Sequence, residues 1–334
     1  MLQPKATILS GIRATGRLHF GNFMGAVKHF VGYQRPGNRC LYFIADLHTL
    51  TTLRDPNELR GNVLEITKDY LAAGLDPNQA VIYAQSSVPE ISELSLLLSN
   101  VASLGEIQRT PTFKDLVRKN PDNVNLGLVN YPVLMAADIL GSRATLVPVG
   151  EDQKPNVEVA RNIADYFNSK YGHTFVKPEM MVEMFKIPGL DGEKMGKSDS
   201  NNAIDINSPI TLIRKRYLER GITDPKRLRV SDPGDPHNGC RSIYPLHEII
   251  TRGEVDSQEI ANLCRNAKIG CVDCKNRLVD SIVNVLEPFQ QRRRELAENN
   301  DYAREVLHEG GKKARAIFAE TLNEVRDKMG VIVY

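Results

Sequence analysis

The chain has 334 residues, 41% hydrophobic and 25% charged, with a formal charge of +2; this is the composition of a globular protein long enough for two domains. No run approaches the ~18–20 uninterrupted apolar residues of a membrane helix, and Met1 to Ser10 lacks a signal-peptide layout. A cytoplasmic protein with no membrane contact is expected, and the near-neutral total gives no argument for a nucleic-acid partner.

The first half alternates short apolar runs with helical patterns. Thr7-Ile8-Leu9 reads as a strand, followed by a glycine-rich stretch, Gly11 to Asn22 (GIRATGRLHFGN). Cys40 to Ala45, Ala80 to Ala84 and Thr145 to Val149 are further strand candidates. Continuous apolar runs suit strands covered on both faces of a parallel sheet. Helices are expected over Asn57 to Ala73, where Asp55-Pro56 supplies a cap and first turn, and over Pro89 to Leu104, Tyr131 to Leu140 and Glu151 to Asn168. The alternation predicts a doubly wound α/β fold. After residue 205 strand-like runs vanish, and long amphipathic patterns over Asp280 to Glu298 and Tyr302 to Met329 predict a C-terminal all-helical domain. The expected domains are therefore residues 1–204 and 205–334, with no internal repeat. The runs Arg292, Arg293, Arg294 and Lys312, Lys313, Arg315 read as solvated helix faces.

Three motifs carry chemistry. The glycine-rich stretch after the first strand leads into a helix near Gly21, so backbone N–H groups gather where anions bind. His19 and Asn22 can donate to phosphate oxygens, and Gly21 leaves room for a flat base. Lys194 to Ser198 (KMGKS) follows the turn-rich segment Pro188-Gly189-Leu190-Asp191-Gly192. Two lysines beside glycine make a mobile cationic clamp suited to a leaving pyrophosphate. Four of the five cysteines (Cys240, Cys264, Cys271 and Cys274) fall in one segment ending in a CxxC. Such a set can hold tetrahedral zinc or an iron–sulfur cluster. The fifth, Cys40, lies in a strand pattern and reads as a buried thiol.

HFGN paired with KMGKS resembles the signatures of class I aminoacyl-tRNA synthetases. Asn130 to Leu140 (NYPVLMAADIL) and Val147 to Gln153 (VPVGEDQ) resemble the tryptophanyl family, and the related tyrosyl enzymes differ in the first segment. The resemblance covers essentially the whole chain. There are two departures: Asn22 replaces the second histidine of the HIGH pattern, and Gly196 replaces the serine of KMSKS. The absence of tryptophan from the chain would suit an enzyme needed when that amino acid is scarce.

The resemblance implies a Rossmann-type catalytic domain and a helical anticodon-binding domain. It implies activation of L-tryptophan by ATP, with Mg²⁺, followed by transfer to tRNA(Trp), in a homodimer. It assigns His19, Asn22, Lys194 and Lys197 to catalysis. ATP would be met by Arg13, Ala14, Thr15, Gly21, Asn22, Gly150, Glu151, Asp152, Ile187, Lys194, Met195, Gly196, Lys197 and Ser198. Tyr131, Met135 and Asp138 recur at helical spacing on one face. An apolar floor with one carboxylate suits an indole, whose N–H needs an acceptor; the resemblance gives Asp138 that role. Leu9, His48, Val147, Val149 and Gln153 complete the expected tryptophan site. The cysteine spacing resembles a [4Fe–4S] site found in a subset of the family, with zinc as the alternative, placing Lys268 and Lys275 against the anticodon. Two rival readings are a tRNA-independent nucleotidyltransferase and a catalytically inactive paralogue with an RNA-binding or regulatory role. The helical domain argues against the first; intact Lys194, Lys197 and Asp138 argue against the second.

Overall fold

The computed structural model describes residues 6–119, 121, 124–181, 186–196, 201–251 and 256–332. The apolar runs form a parallel sheet of β1 (Ala6–Arg13), β2 (Asn38–Ala45), β3 (Ala80–Ala84), β4 (Leu146–Pro148) and β5 (Glu179–Met181), in the order β3-β2-β1-β4-β5. Leu9 lies beside Leu41, and Phe43 beside Tyr83. The chain builds outward from β1 to β3 and then crosses to β4. Strand order thus reverses between β1 and β4, the place where open α/β sheets bind ligands. β5 was not expected: Glu-Met-Met has no continuous apolar run, and main-chain pairing with β4 recruits it.

The helices are α1 (Phe20–Asn22), α2 (Lys28–Tyr33), α3 (Asp46–Thr49), α4 (Pro56–Ala73), α5 (Pro89–Ser99), α6 (Leu104–Arg109), α7 (Pro111–Lys119), α8 (Leu126–Gly141), α9 (Lys154–Tyr171), α10 (Ile210–Arg220), α11 (Ile243–Ile250), α12 (Asp256–Arg265), α13 (Cys271–Glu295) and α14 (Asn300–Met329). Local chemistry explains their limits. Asp55 caps α4 by accepting from the N–H groups of Asn57 and Glu58, and Gly74 ends it in the left-handed region at φ 106°. The helix expected over Pro89 to Leu104 is instead two, because Ser103 turns extended and caps α6. α8 starts earlier than its apolar pattern, at the cap supplied by Asn125. Among the described residues no helix is long and apolar enough to cross a membrane.

The chain divides into two compact units: Met1–Gly16, Phe30–Met184 and Asn299–Tyr334 form the first, and Arg17–His29 with Phe185–Glu298 the second. In the first unit the sheet is covered on both faces. Leu9, Leu41, Phe43, Tyr83 and Val147 share one core with residues of α5, α8, α9 and α14. On the other face Phe30 stacks on Tyr42 at 4.7 Å and meets Tyr70 of α4 edge-on at 6.1 Å. The second unit is built from α10 to α13 and the segments before them.

These units do not follow a division at residues 204/205, because α14 belongs with the sheet. Its Ala314, Phe318, Leu322 and Val325 are buried in the sheet's core. Ion pairs Arg326–Glu93, Arg315–Glu90 and Arg143–Glu324 flank this face. Each such partly exposed pair contributes ~0–1 kcal/mol, whereas each large apolar side chain contributes ~1.5–3 kcal/mol, so burial holds the helix.

The approach is close enough to require glycine: a Cβ on Gly310 would lie 1.7 Å from the Ile82 carbonyl oxygen, and one on Gly311 2.8 Å from Ser87 Oγ. Gly310→Ala should therefore lower the unfolding free energy by ~1–3 kcal/mol or more, read from urea unfolding. An exposed control, Gly61→Ala on α4, has nothing within 4 Å of the added methyl and should not destabilise.

Candidate active site

In the first unit the carboxyl ends of β2 and β3 and the last turn of α8 converge on Asp138, which is wholly buried. Gln85 Nε2 donates to Asp138 Oδ1 at 3.0 Å and to Oδ2 at 2.8 Å. His48 Nε2 lies 3.2 Å from Oδ2. Burial pushes the Asp138 carboxyl above the usual carboxylate range, while the His48 and Gln85 contacts pull the other way. The His48 ring lies 4.4 Å from the Tyr131 ring. His48 Nδ1 and the Tyr83 hydroxyl are buried and find no hydrogen-bond partner among the described residues. Leu9, Val147 and Val149 are buried in the adjoining core, and Met135 packs against it. The helical spacing of Tyr131, Met135 and Asp138 thus does bring an aromatic ring, a thioether and a carboxylate to one side of α8.

Gln85 and Asp46 were not singled out from the sequence. Asp46 directly follows β2 and binds the Ser86 N–H at 2.9 Å and the Ser86 hydroxyl, tying that strand to the turn after β3. The available signal was position: both residues directly follow apolar strands of a parallel sheet, where functional side chains collect.

The other expected residues of this unit lie at the end of β1 and just after it, and after β4. Arg13 donates to Thr52 Oγ1 at 2.6 Å and to the His48 carbonyl at 3.3 Å. Ala14 is buried, its N–H bound to Thr49 Oγ1 at 2.9 Å, and Thr15 follows half-buried. After β4, Gly150 opens a 3₁₀ turn over Glu151–Gln153. Glu151 pairs with Lys154 at 2.8 Å, and Gln153 binds Asp152 Oδ2 at 3.2 Å and Asn156 at 2.9 Å.

In the second unit, His19 Nδ1 accepts the Asn22 N–H at 3.2 Å and caps α1, which continues as a π turn over Phe23–Val27. A neutral His19 ring accepting at Nδ1 carries its proton on Nε2. Gly21 donates its N–H to Met195 Sδ at 3.2 Å, and a Cβ on Gly21 would lie 2.8 Å from His19 Nδ1. Ile187 and Met195 are buried and bridged by a 2.9 Å main-chain bond. The intervening turn presents Lys194 to solvent, and Gly196 follows half-buried. Lys197 and Ser198 lie outside the described residues.

Cys240, Cys264, Cys271 and Cys274, also in the second unit, line one pocket with Asp224, Arg227 and Tyr244. Tyr244 N–H lies 3.4 Å from Cys240 Sγ, Arg227 Nη1 3.7 Å from Cys264 Sγ and His247 Nε2 3.5 Å from Cys274 Sγ. Burial, reinforced by neighbouring sulfurs, pushes the Cys240 thiol up to about 11 and the Cys274 thiol to about 12. Four soft donors in one pocket fit a thiolate-bound metal or cluster in kind. As placed, however, no three His, Cys, Asp or Glu side chains among the described residues form a group able to hold a metal ion. Nearby, Lys268 is exposed, whereas Lys275 donates to the Leu218 carbonyl at 2.9 Å.

The sequence profile of the tRNA synthetases class I (W and Y) matches residues 1–287. The chain belongs to that family. Within it, relatives that match nearly end to end include tryptophan–tRNA ligases. The one from Thermotoga maritima is 40% identical over 97% of this chain and 99% of its own length. The one from Porphyromonas gingivalis is 41% identical over 97% and 99%. The solved tryptophanyl-tRNA synthetase of Campylobacter jejuni, complexed with ADP and tryptophan, superposes with a TM-score of 0.84 at 33% identity, covering 97% of this chain and 100% of that one.

Removing the carboxylate should be felt in stability as well as function. Asp138→Ala leaves the Gln85 amide and the His48 ring facing each other without an acceptor. It should lower the unfolding free energy by ~1–3 kcal/mol in a urea titration, and Asp138→Asn, which keeps one acceptor oxygen, by less.

Proposed function

We propose that the chain is a tryptophan–tRNA ligase whose amino-acid specificity resides in the pocket around Asp138. The enzyme activates L-tryptophan with ATP, releasing pyrophosphate, and transfers the tryptophanyl group to tRNA(Trp). The observation that carries the substrate assignment is a buried carboxylate, oriented by Gln85 and His48, beside an otherwise apolar core. Such a site matches a large ring that must be buried and has one N–H to satisfy. Full-length similarity to tryptophan–tRNA ligases supports the same reading.

Asp138 accepts the indole N–H in this reading. Leu9, Val147 and Val149 wall the ring, Tyr131, Met135 and His48 line it, and Gln153 meets the polar end of the amino acid. The tryptophan carboxylate attacks the α-phosphorus of ATP, which enters as its Mg²⁺ complex. No protein nucleophile is needed, so catalysis is positioning and stabilisation of phosphate charge. His19, through Nε2–H, and Asn22 hold phosphate oxygens, and the compact Gly21 turn keeps that approach open. Arg13, Ala14 and Thr15 form the loop before them. Gly150, Glu151 and Asp152 meet the adenosine, with Asp152 on the ribose. Ile187, Met195 and Gly196 shape the segment from which Lys194 works on the phosphates together with Lys197 and Ser198. The terminal ribose 2′-OH of tRNA then takes the aminoacyl group. The helices of the second unit contact the anticodon, Lys268 being an exposed cation beside the cysteine pocket. The working enzyme is a cytoplasmic homodimer.

ATP–pyrophosphate exchange with each of the twenty amino acids tests the assignment. Exchange should be fastest with tryptophan, and tyrosine should be at least ~100-fold poorer in kcat/KM, since its hydroxyl would be buried without a partner. Equal exchange with tyrosine overturns the substrate. Tryptophan-dependent exchange without tRNA charging would indicate a nucleotidyltransferase, and no exchange with any amino acid an inactive paralogue.

The same reading assigns Cys240, Cys264, Cys271 and Cys274 to one [4Fe–4S] cluster, with a zinc site as the alternative. Four cysteine sulfurs lining one pocket support it. When bound, the group ties the surrounding loops together and orders the neighbouring side chains. Anaerobically purified protein should be brown, with about four irons and four labile sulfides per chain. Serine at any of the four positions should weaken retention and lower tRNA charging more than tryptophan activation. Colourless protein with one zinc per chain replaces the cluster with zinc, and metal-free protein with normal charging removes the site.

A further inference from the structure

Asp138 is held by donors that do more than neutralise it. Gln85 is wholly buried and is the first residue after β3. Its Oε1 accepts the main-chain N–H of His48 at 3.3 Å. That contact with a fixed donor decides which way the amide faces: with Oε1 on the His48 N–H, Nε2 faces Asp138. Nε2 spans both carboxylate oxygens, at 3.0 and 2.8 Å, and so sets the plane of the carboxylate. Oδ2 has a second contact, His48 Nε2 at 3.2 Å; among the described residues Oδ1 has only the Gln85 amide. An ionised carboxylate has about four lone-pair positions, so the freer acceptor is Oδ1.

We infer that Gln85 is a specificity-determining positioning residue, which turns Asp138 so that Oδ1 receives the ring N–H of the substrate. Gln85 makes the site selective for a bicyclic side chain with a donor at that edge. A ring of the same shape with sulfur or oxygen in place of N–H is refused, because it leaves Oδ1 buried and unmatched. The inference rests on the reading of Asp138 as the indole acceptor, and the experiment separates the two.

The test uses full-length protein and pyrophosphate exchange with two amino acids: tryptophan and β-(benzothiophen-3-yl)alanine, which keeps the bicyclic shape and lacks the N–H. Gln85→Met keeps side-chain length and removes the amide. It should raise the tryptophan KM by roughly tenfold or more, a lost hydrogen bond to a charged group. The ATP KM, kcat and the KM of the sulfur analogue should stay within about twofold, so the preference for tryptophan over the analogue collapses. Asp138→Ala should collapse the same preference, and Gln85→Met added to it should change the preference no further. If Gln85→Met does not fold, Gln85→Asn, which keeps a shorter amide, is read through the same ratio and should show an intermediate loss. A parallel loss with tryptophan and the analogue makes Gln85 a packing residue and overturns the inference; so does full additivity with Asp138→Ala. If Asp138→Ala leaves the preference intact while the protein still exchanges tryptophan, the Asp138 reading fails first and the inference falls with it.

Discussion

A carboxylate removed from water must be met by donors, since an uncompensated buried charge costs several kcal/mol. Asp138 in the last turn of α8 imposes that demand on the first unit. Its partners come from the ends of two different strands, His48 just beyond β2 and Gln85 just beyond β3. Both strands must therefore stop at the right level, and the last turn of α8 must reach the residues that follow them. Asp46 and Ser86 tie those two strand ends to each other, so the donors are held in common rather than one by one.

The same strands depend on the last helix of the chain. Tyr83, two residues before Gln85, meets Phe318 of α14 edge-on at 6.4 Å. Gly310 lets α14 lie directly on the backbone of Ile82. Gly141 at the end of α8 would place a Cβ 2.6 Å from the Phe318 ring, so glycine is required there as well. A residue more than two hundred positions downstream thus packs against the strand that carries Gln85. The C-terminal helix is part of the frame of the amino-acid pocket.

The second unit solves a different problem, that of shaping backbone for anions. His19 uses Nδ1 to cap α1, and Met195 seats its side chain against the N–H of Gly21. HFGN and the start of KMGKS are thereby one local structure, although more than 170 residues separate Gly21 from Met195. The cysteines follow a comparable logic. Cys271 and Cys274 share a face one helical turn apart on α13, and the chain returns Cys240 and Cys264 to the same pocket.

Local pattern determined much of this protein. Continuous apolar runs specified β1 to β4 and their parallel pairing, because strands buried on both faces have no polar alternation to display. Asp55-Pro56 specified the start of α4, and the spacing of Tyr131, Met135 and Asp138 specified a shared helix face. HFGN, KMGKS and the two longer segments marked the residues of the candidate site and the family. What the tertiary structure decided was which distant segments meet, the order of the strands included. β5 exists only through its bonds to β4. The amphipathic pattern of α14 announced a buried face without naming what buries it; the glycines at 310 and 141 and the core beneath them settled that. Gln85 carries no motif, and its role follows only from lying within 3.0 Å of both oxygens of Asp138. A periodic pattern records that a side chain will be buried, because solvation is a local property. Its partner is a matter of geometry among segments far apart in the chain, and only the folded structure holds that.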